Sequence, residues 1–241
     1  MKRLMDICVA AAGLLALSPI LAPIMLAIWL QDRRSPFYIA PRVGEGGRLF
    51  RMVKLRSMVV RADSSGVDST AANDPRITGV GRFVRRYKLD EIMQLWNVLK
   101  GDMSLVGPRP NVKRETDLYT AEERVLLNVR PGITDIASIV FADESEILEG
   151  KDDPDLAYNQ LIRPWKSRLG LVYTENHSIS LDLRLIALTG LAIGSRRRAL
   201  SQVQHILGTL GVDNHLCMVA RRDQALEPHP PPGATEIVTH R

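Results

Sequence analysis

The chain has 241 residues and a formal net charge of +5, which is length enough for one sizeable domain or two small ones. A basic surplus favours an anionic partner: phosphate groups, nucleic acid or an acidic membrane surface. Aromatic residues are only 5% of the sequence, and none forms a stacking array among the basic residues, which argues against a single-stranded nucleic-acid platform. The two cysteines, Cys8 and Cys217, are far apart and fit neither a disulfide framework nor a zinc spacing.

Residues 7–30, "ICVAAAGLLALSPILAPIMLAIWL", carry no charge. As one helix they are long enough to cross a bilayer core. A cleaved signal peptide fits poorly, because the run is too long and "IWLQDRR" offers no small-residue cleavage site. Ser18-Pro19 falls mid-run, where proline removes a helix hydrogen bond and Ser18 can satisfy the freed carbonyl; Pro23 adds a second perturbation. Cationic flanks at both ends, Lys2-Arg3 and Arg33-Arg34, suit a hairpin with both ends in the cytoplasm. Proline is common in membrane helices, so these features leave spanning and re-entry both open.

Residues 36–59 read as two short strands around a turn supplied by Gly44, Gly46 and Gly47. The Gly-, Ser-, Asp- and Asn-rich stretch 61–81 reads as loop. A helix is predicted from about Asp90 to Lys100, stopped by Gly101. Ile92, Leu95, Trp96 and Leu99 follow helical spacing, with Asp90, Gln94 and Asn97 on another face. Further helical patterns cover 112–128, 155–170 and 178–194. The last runs into the basic cluster Arg196–Arg198, a combination that suits an anionic membrane surface or, equally, a core helix with a solvated end. From 201 the pattern weakens, and "EPHPPPGATEIVTHR" reads as a loose tail. The fold class expected is α+β and mostly helical, with a membrane-active N-terminus, a small β-hairpin and amphipathic surface helices.

Asp90 and Glu91 stand side by side between a basic run, Arg82, Arg85, Arg86 and Lys88, and an arginine, Arg109, held between Pro108 and Pro110. Acids in a helix's first turn complement its dipole, worth ~0.3–1 kcal/mol, and alone need no other role. The surroundings say more. Lys54 and Arg56 lie on a basic strand, and the flanking prolines pre-order the Arg109 fork for phosphate oxygens. Two acids among arginines make a site for Mg²⁺ plus a polyphosphate.

The "SP" of the apolar run, "KLRSM" (54–58), "LDEIMQLWNVLKGDMSLVGPRP" (89–110) and "VRPGIT" (129–134), in this order and spacing, resemble the bacterial sugar transferase family, the small monotopic polyprenol-phosphate phosphoglycosyl transferases. "RVG" (42–44) and "LDLRLIALT" (181–189) add weaker likeness, and the resemblance covers roughly residues 1–195. It implies a re-entrant helix-break-helix at Ser18-Pro19. It also implies transfer of a sugar 1-phosphate from a nucleoside diphosphate sugar, usually a UDP-sugar, to undecaprenyl phosphate. Asp90 would attack the sugar-bearing phosphate and hold a phosphosugar, which the lipid then accepts. Neighbouring cations favour the ionised form such a nucleophile needs. Glu91 completes the carboxylate pair that would hold Mg²⁺; Arg85, Arg109 and, with less support, Lys54 would engage phosphate.

The implied organisation is a membrane hairpin at 1–34, a catalytic domain at 35–200 on the cytoplasmic face of the bacterial inner membrane, and a variable tail at 201–241. Its partners would be inner-membrane lipid and downstream glycosyltransferases, with no role for nucleic acid. Larger members carry membrane helices and a domain upstream, so the chain reads as a minimal catalytic form. Two departures stand out. Met93 replaces the proline or aliphatic residue of many members. "DIASIVFADESEILEG" (135–150), with five acids, replaces a continuation resembling "GWAQV-G-R", so the resemblance does not name the sugar. The rival reading is a non-catalytic, membrane-anchored lipid- or partner-binding protein.

Overall fold

A computed structural model describes residues 1–62 and 74–239. It begins with one helix, α1 (Lys2–Asp32), long and apolar enough to cross a membrane. The helix has a buried face and an exposed apolar one. Asp6, Ala10, Leu21 and Ile28 form a buried stripe, whereas Leu4, Leu15, Ile20, Leu26 and Leu30 are at least half exposed. Helical backbone continues through Pro19 and Pro23, so the expected break does not interrupt the secondary structure. It appears as one missing backbone bond: Pro19 cannot donate to the carbonyl of Leu15, and the Ser18 hydroxyl donates to it instead at 2.7 Å.

Polar contacts fix both ends of α1 to the rest of the chain. Near its start, Arg3 donates to the carbonyls of Val98 and Leu99 at 2.5 and 2.8 Å. Asp6, 1% exposed, accepts from the Ser104 hydroxyl at 2.9 Å and the Leu105 amide at 3.1 Å. Lys2 pairs with the fully buried Asp182 at 2.5 Å. Near its end, Asp32 pairs with Arg56, whose Nη2 lies 2.7 Å from Oδ1. Between the two, Leu21 and Ile28 pack with Leu55 and Val84.

The two expected strands form an antiparallel hairpin, β1 (Phe37–Val43) and β2 (Leu49–Leu55), registered from Phe37 opposite Leu55 to Val43 opposite Leu49. Gly46 and Gly47 turn the chain with φ of 66° and 77°, a region that L side chains avoid. Of the loop expected at 61–81, residues 63–73 lie outside those described. Its end is instead helical: α2 (Gly79–Arg86) starts where Thr78 accepts from the Gly81 amide at 2.9 Å. A Cβ on Gly81 would sit 1.8 Å from the Ser57 carbonyl oxygen, so glycine is what lets α2 approach the segment that follows β2.

The helix expected from Asp90 starts later, as α3 (Gln94–Lys100), and ends as expected at Gly101 with φ 94°. A 3₁₀ turn, Leu89–Glu91, precedes it, entered through Lys88 at φ 55°. The adjacent acids therefore sit on that turn, and capping the α3 dipole does not explain them. The pattern at 112–128 is likewise split, into α4 (Lys113–Asp117) and a 3₁₀ segment, Glu123–Asn128. Thr120 and Glu123 cap one another there, amide to side chain in both directions at 3.1 Å.

Two three-residue strands, β3 (Ser104–Val106) and β4 (Gly132–Thr134), pair in parallel at the centre. Around them lie α5 (Ile136–Val140), α6 (Glu144–Ile147), α7 (Pro154–Ala157), α8 (Arg163–Asn176) and α9 (Ile179–Gly194). Ile136, Ile162, Leu169 and Leu185 are fully buried in this core. The expectation of a loose segment from 201 is corrected. That position falls inside α10 (Arg196–Thr209), and α11 (Asn214–Arg221) follows. Val203, Ile206, Leu207, Leu216 and Ala220 join the core, so burial of a helical stripe holds these residues. Only beyond 222 does regular structure end. Even there the chain is tied down: the Thr120 hydroxyl donates to the Pro232 carbonyl at 2.6 Å, and Gln160 donates to that of Val238 at 2.8 Å.

Candidate active site

The 3₁₀ turn aims Asp90 and Glu91 into a cleft of about 1190 Å³ between the hairpin and the helical core. Asn97 sets the depth of that turn. Buried on α3, it accepts from the Val53 amide at 2.9 Å and donates to the Arg51 carbonyl at 2.7 Å. This clamps β2, and with it Lys54, against the acids. Arg109 arrives from the other side, after β3. A Cβ on Gly132 would lie 2.1 Å from the Gly107 nitrogen; the missing side chain lets the "RPGIT" segment close on "VGPRP".

The two acids have opposite surroundings. Glu91 is fully engaged: Lys54 Nζ lies 3.2 Å from Oε1, Arg109 Nη1 lies 3.3 Å from Oε2, and Arg109 Nη2 also contacts Oε1. Burial by itself would raise its pKa, but Arg109 and Lys54 outweigh it and hold the carboxyl well below the usual range. The same partnership raises Arg109, chiefly through Glu91, while burial lowers Lys54. Asp90 is 9% exposed and makes no hydrogen bond or ion pair among the described residues. Burial raises its pKa, and the attraction of Lys54, Arg85 and Arg109 does not fully offset this. The neighbouring cations do favour the ionised form, as expected, but desolvation is the larger effect. The outcome is a cation-ringed carboxylate with free lone pairs facing a cleft.

Arg85, on α2, is held by its Nε donating to the Ser57 hydroxyl at 2.8 Å. That leaves the other guanidinium nitrogens toward the cleft it lines with Arg86 and Lys88. Arg56, grouped in the sequence with Lys54, serves instead as the partner of Asp32. Ser18 and Pro19 lie on α1, apart from this constellation. Sequence reasoning missed three contributors: Ser57, Asn97 as a clamp, and the ion pair of Glu144 with Lys166 on the far wall. Lys166 and, more distantly, Arg109 and Lys88 outweigh burial and lower the Glu144 pKa.

The arrangement is a carboxylate with free lone pairs, lining one cleft with Lys54, Arg85 and Arg109. The chain belongs to the bacterial sugar transferase family, which it matches over residues 1–196, and is a transferase. It is similar to the undecaprenyl-phosphate glucose phosphotransferase of Komagataeibacter xylinus, 37% identical over 195 residues, covering 78% of this chain and 35% of that one. The UDP-glucose:undecaprenyl-phosphate glucose-1-phosphate transferase of Caulobacter vibrioides is 38% identical over 173 residues, 68% of this chain and 64% of the relative. An Aeromonas hydrophila relative named for N-acetylgalactosamine is 34% identical over 169 residues, 68% and 40% of the two chains. The chain thus spans less than two thirds of the length of each of these three, and their names differ in the sugar.

Proposed function

We propose that the protein transfers a sugar 1-phosphate from a UDP-sugar to undecaprenyl phosphate, initiating a surface glycan. The observation that carries this reading is the buried, unbonded Asp90 carboxylate beside three cations. An Asp90 oxygen attacks the sugar-bearing phosphorus, and the bond to the other phosphate breaks, releasing UMP. The phosphate of the lipid then attacks the acyl phosphate and frees Asp90. Lys54, Arg85 and Arg109 hold the diphosphate oxygens, and their charges oppose the negative charge gathering there. The non-catalytic lipid-binding alternative gives no reason for this arrangement.

Magnesium suits the pair: it takes one or two carboxylates and fills its remaining positions with phosphate oxygens and water. Asp90 has free lone pairs for it; Glu91 Oε1 is taken up by Lys54 and Arg109, and only Oε2, with its single Arg109 contact, keeps a lone pair. Bound there, Mg²⁺ would supply charge neutralisation on the diphosphate.

Attachment of both ends of α1 to one body supports a monotopic placement, with both ends and residues 35–200 on the cytoplasmic side of the inner membrane. A helix crossing the bilayer would carry Arg3 away from the Val98 and Leu99 carbonyls. A re-entrant placement would require α1 to bend, and Ser18-Pro19, where the backbone lacks a bond, is the point that would yield. The test is UMP release on mixing UDP-sugars with undecaprenyl phosphate. Turnover is expected in the wild type and absent in Asp90→Asn; normal turnover in the purified variant overturns the nucleophile assignment.

A further inference from the structure

The cleft has two unlike walls. One comes from the end of α1, the hairpin and α2, and presents Arg34, Arg85, Arg86 and Lys88. The other comes from β4, α5, α6, the π-helical turn Tyr158–Ile162, α8 and α9, and presents Thr134, Ser138, Ser145 and Tyr158. Charge on this second wall cancels, because Glu144 and Lys166 pair with each other. The hydroxyls of Tyr158 and Ser145 make no hydrogen bond among the described residues. Phosphates go to the cationic wall by simple electrostatics. A neutral wall with free hydroxyls suits a neutral, polyhydroxylated group, since such a site discriminates through hydrogen bonds to substrate hydroxyls.

Much of this second wall is the segment 135–150, where the sequence departs from the family pattern, and it is braced from behind. Asp143, between α5 and α6, is gripped by Arg196 at 2.7 Å and Arg222 at 3.1 Å. Arg222 also lies 5.3 Å from the centre of the Phe141 ring. Arg196 donates to the Val140 carbonyl at 3.2 Å. α10 packs on α5, and α11 on α8. Apart from Arg196, these bracing elements follow the matched region, which ends at residue 196.

Resting on the transferase reading above, we propose that the wall formed by Ser138, Glu144, Ser145 and Tyr158 recognises the donor's sugar. The helices after residue 196 position this wall through Asp143. The divergent segment and the C-terminal helices then form one unit: a wall shaped for this chain's sugar and the brace that it needs.

The experiment uses the full-length protein in lipid nanodiscs with undecaprenyl phosphate and UDP-glucose, UDP-galactose, UDP-N-acetylglucosamine and UDP-N-acetylgalactosamine. Each kcat/KM is measured by UMP release, and the affinity of UDP alone by competition. Tyr158→Phe and Glu144→Gln are expected to change the ratio between the best and second-best sugars about 5-fold or more, leaving UDP affinity within about 2-fold. Arg222→Gln should shift the same ratio in the same direction, and Arg222→Lys should restore it; a general loss of stability would not reorder sugars. Equal loss for all four sugars in Tyr158→Phe and Glu144→Gln overturns the wall assignment. UDP affinity falling in step with activity assigns the wall to the nucleoside and overturns it too. An unchanged sugar ratio in folded Arg222→Gln overturns the brace. Failure of the wild type to release UMP from any of the four instead defeats the transferase reading, and this inference with it.

Discussion

Replacing either of the adjacent acids by its amide should abolish activity, but the two changes should move stability in opposite directions. Glu91→Gln leaves Lys54 and Arg109 facing each other without the carboxylate they contact, with only Asp90 and Glu144 further off as counter-charge. Stripping one partner from a fully buried pair costs about 3–5 kcal/mol. Here the side chains of Lys54, Glu91 and Arg109 are 18%, 19% and 35% exposed, so solvent returns part of that, leaving a cost of about 1–3 kcal/mol. For a chain of this size each kcal/mol is worth about 2–4 °C in Tm. Asp90→Asn removes a charge that burial already disfavours. A carboxyl raised in the folded state costs stability as pH climbs through its unfolded and then its folded pKa, and the cost is fully present once both are passed. The depressed Glu91 does the reverse, adding stability above its unfolded pKa that is lost as pH falls through its folded one. Thermal melts at pH 7.5 in one detergent should therefore place Asp90→Asn at or above the wild type and Glu91→Gln clearly below it. A Glu91→Gln protein melting with the wild type, or an Asp90→Asn protein melting as low as Glu91→Gln, refutes this division of labour.

Supplying UDP-sugar without lipid acceptor should leave a phosphosugar on Asp90, seen as added mass in the intact protein and absent from Asp90→Asn; UMP release only with both substrates present, and no adduct, would mean direct transfer. The acid limb of kcat/KM should have its midpoint above the ordinary aspartate range, since burial raises Asp90; a flat profile down to the unfolding pH argues against Asp90 as the attacking group. Ending the chain after 195 should give insoluble protein, because it uncovers the core faces met by Val203 and Leu207. Ending it after 222 removes the segment tied down through Pro232 and Val238 and should lower Tm by a few degrees, read by thermal melt. In a Cys8→Ser background, a cysteine at Ser35 and another added before Met1 should both resist a membrane-impermeant thiol reagent on intact cells; labelling of the N-terminal one alone would indicate a span.

The turn-and-cation constellation was legible because its parts lie close in sequence: Asp90, Glu91 and Arg85 fall within seven positions, and the prolines around Arg109 advertise a fixed side chain. The hairpin was legible from its glycines. What escaped has physical reasons. Strands as short as β3 and β4 are too brief to show alternation. The break at Thr120 was in fact written, as the Thr-x-x-Glu pattern that opens a new helix, but a polar helical stretch hides a restart. Ala199, Leu200, Val203, Ile206 and Leu207 carry helical spacing, yet the preceding arginines and following prolines gave the segment the look of a tail. Glu144 and Lys166 meet across 22 positions, which local pattern does not reveal.

The polar ties at the two ends of α1 have a mechanical consequence. Lys2, Arg3 and Asp6 hold one end and Asp32 the other, all to the body that carries Asp90. Under the monotopic placement, the helix cannot slide or tilt to suit a thicker or thinner bilayer without breaking these bonds. It behaves as a float of fixed draught, and the height at which the cleft rides above the acyl chains is set by the protein. Turnover in vesicles should accordingly stay level as lipid tail length is varied, whereas a freely tilting anchor would track bilayer thickness.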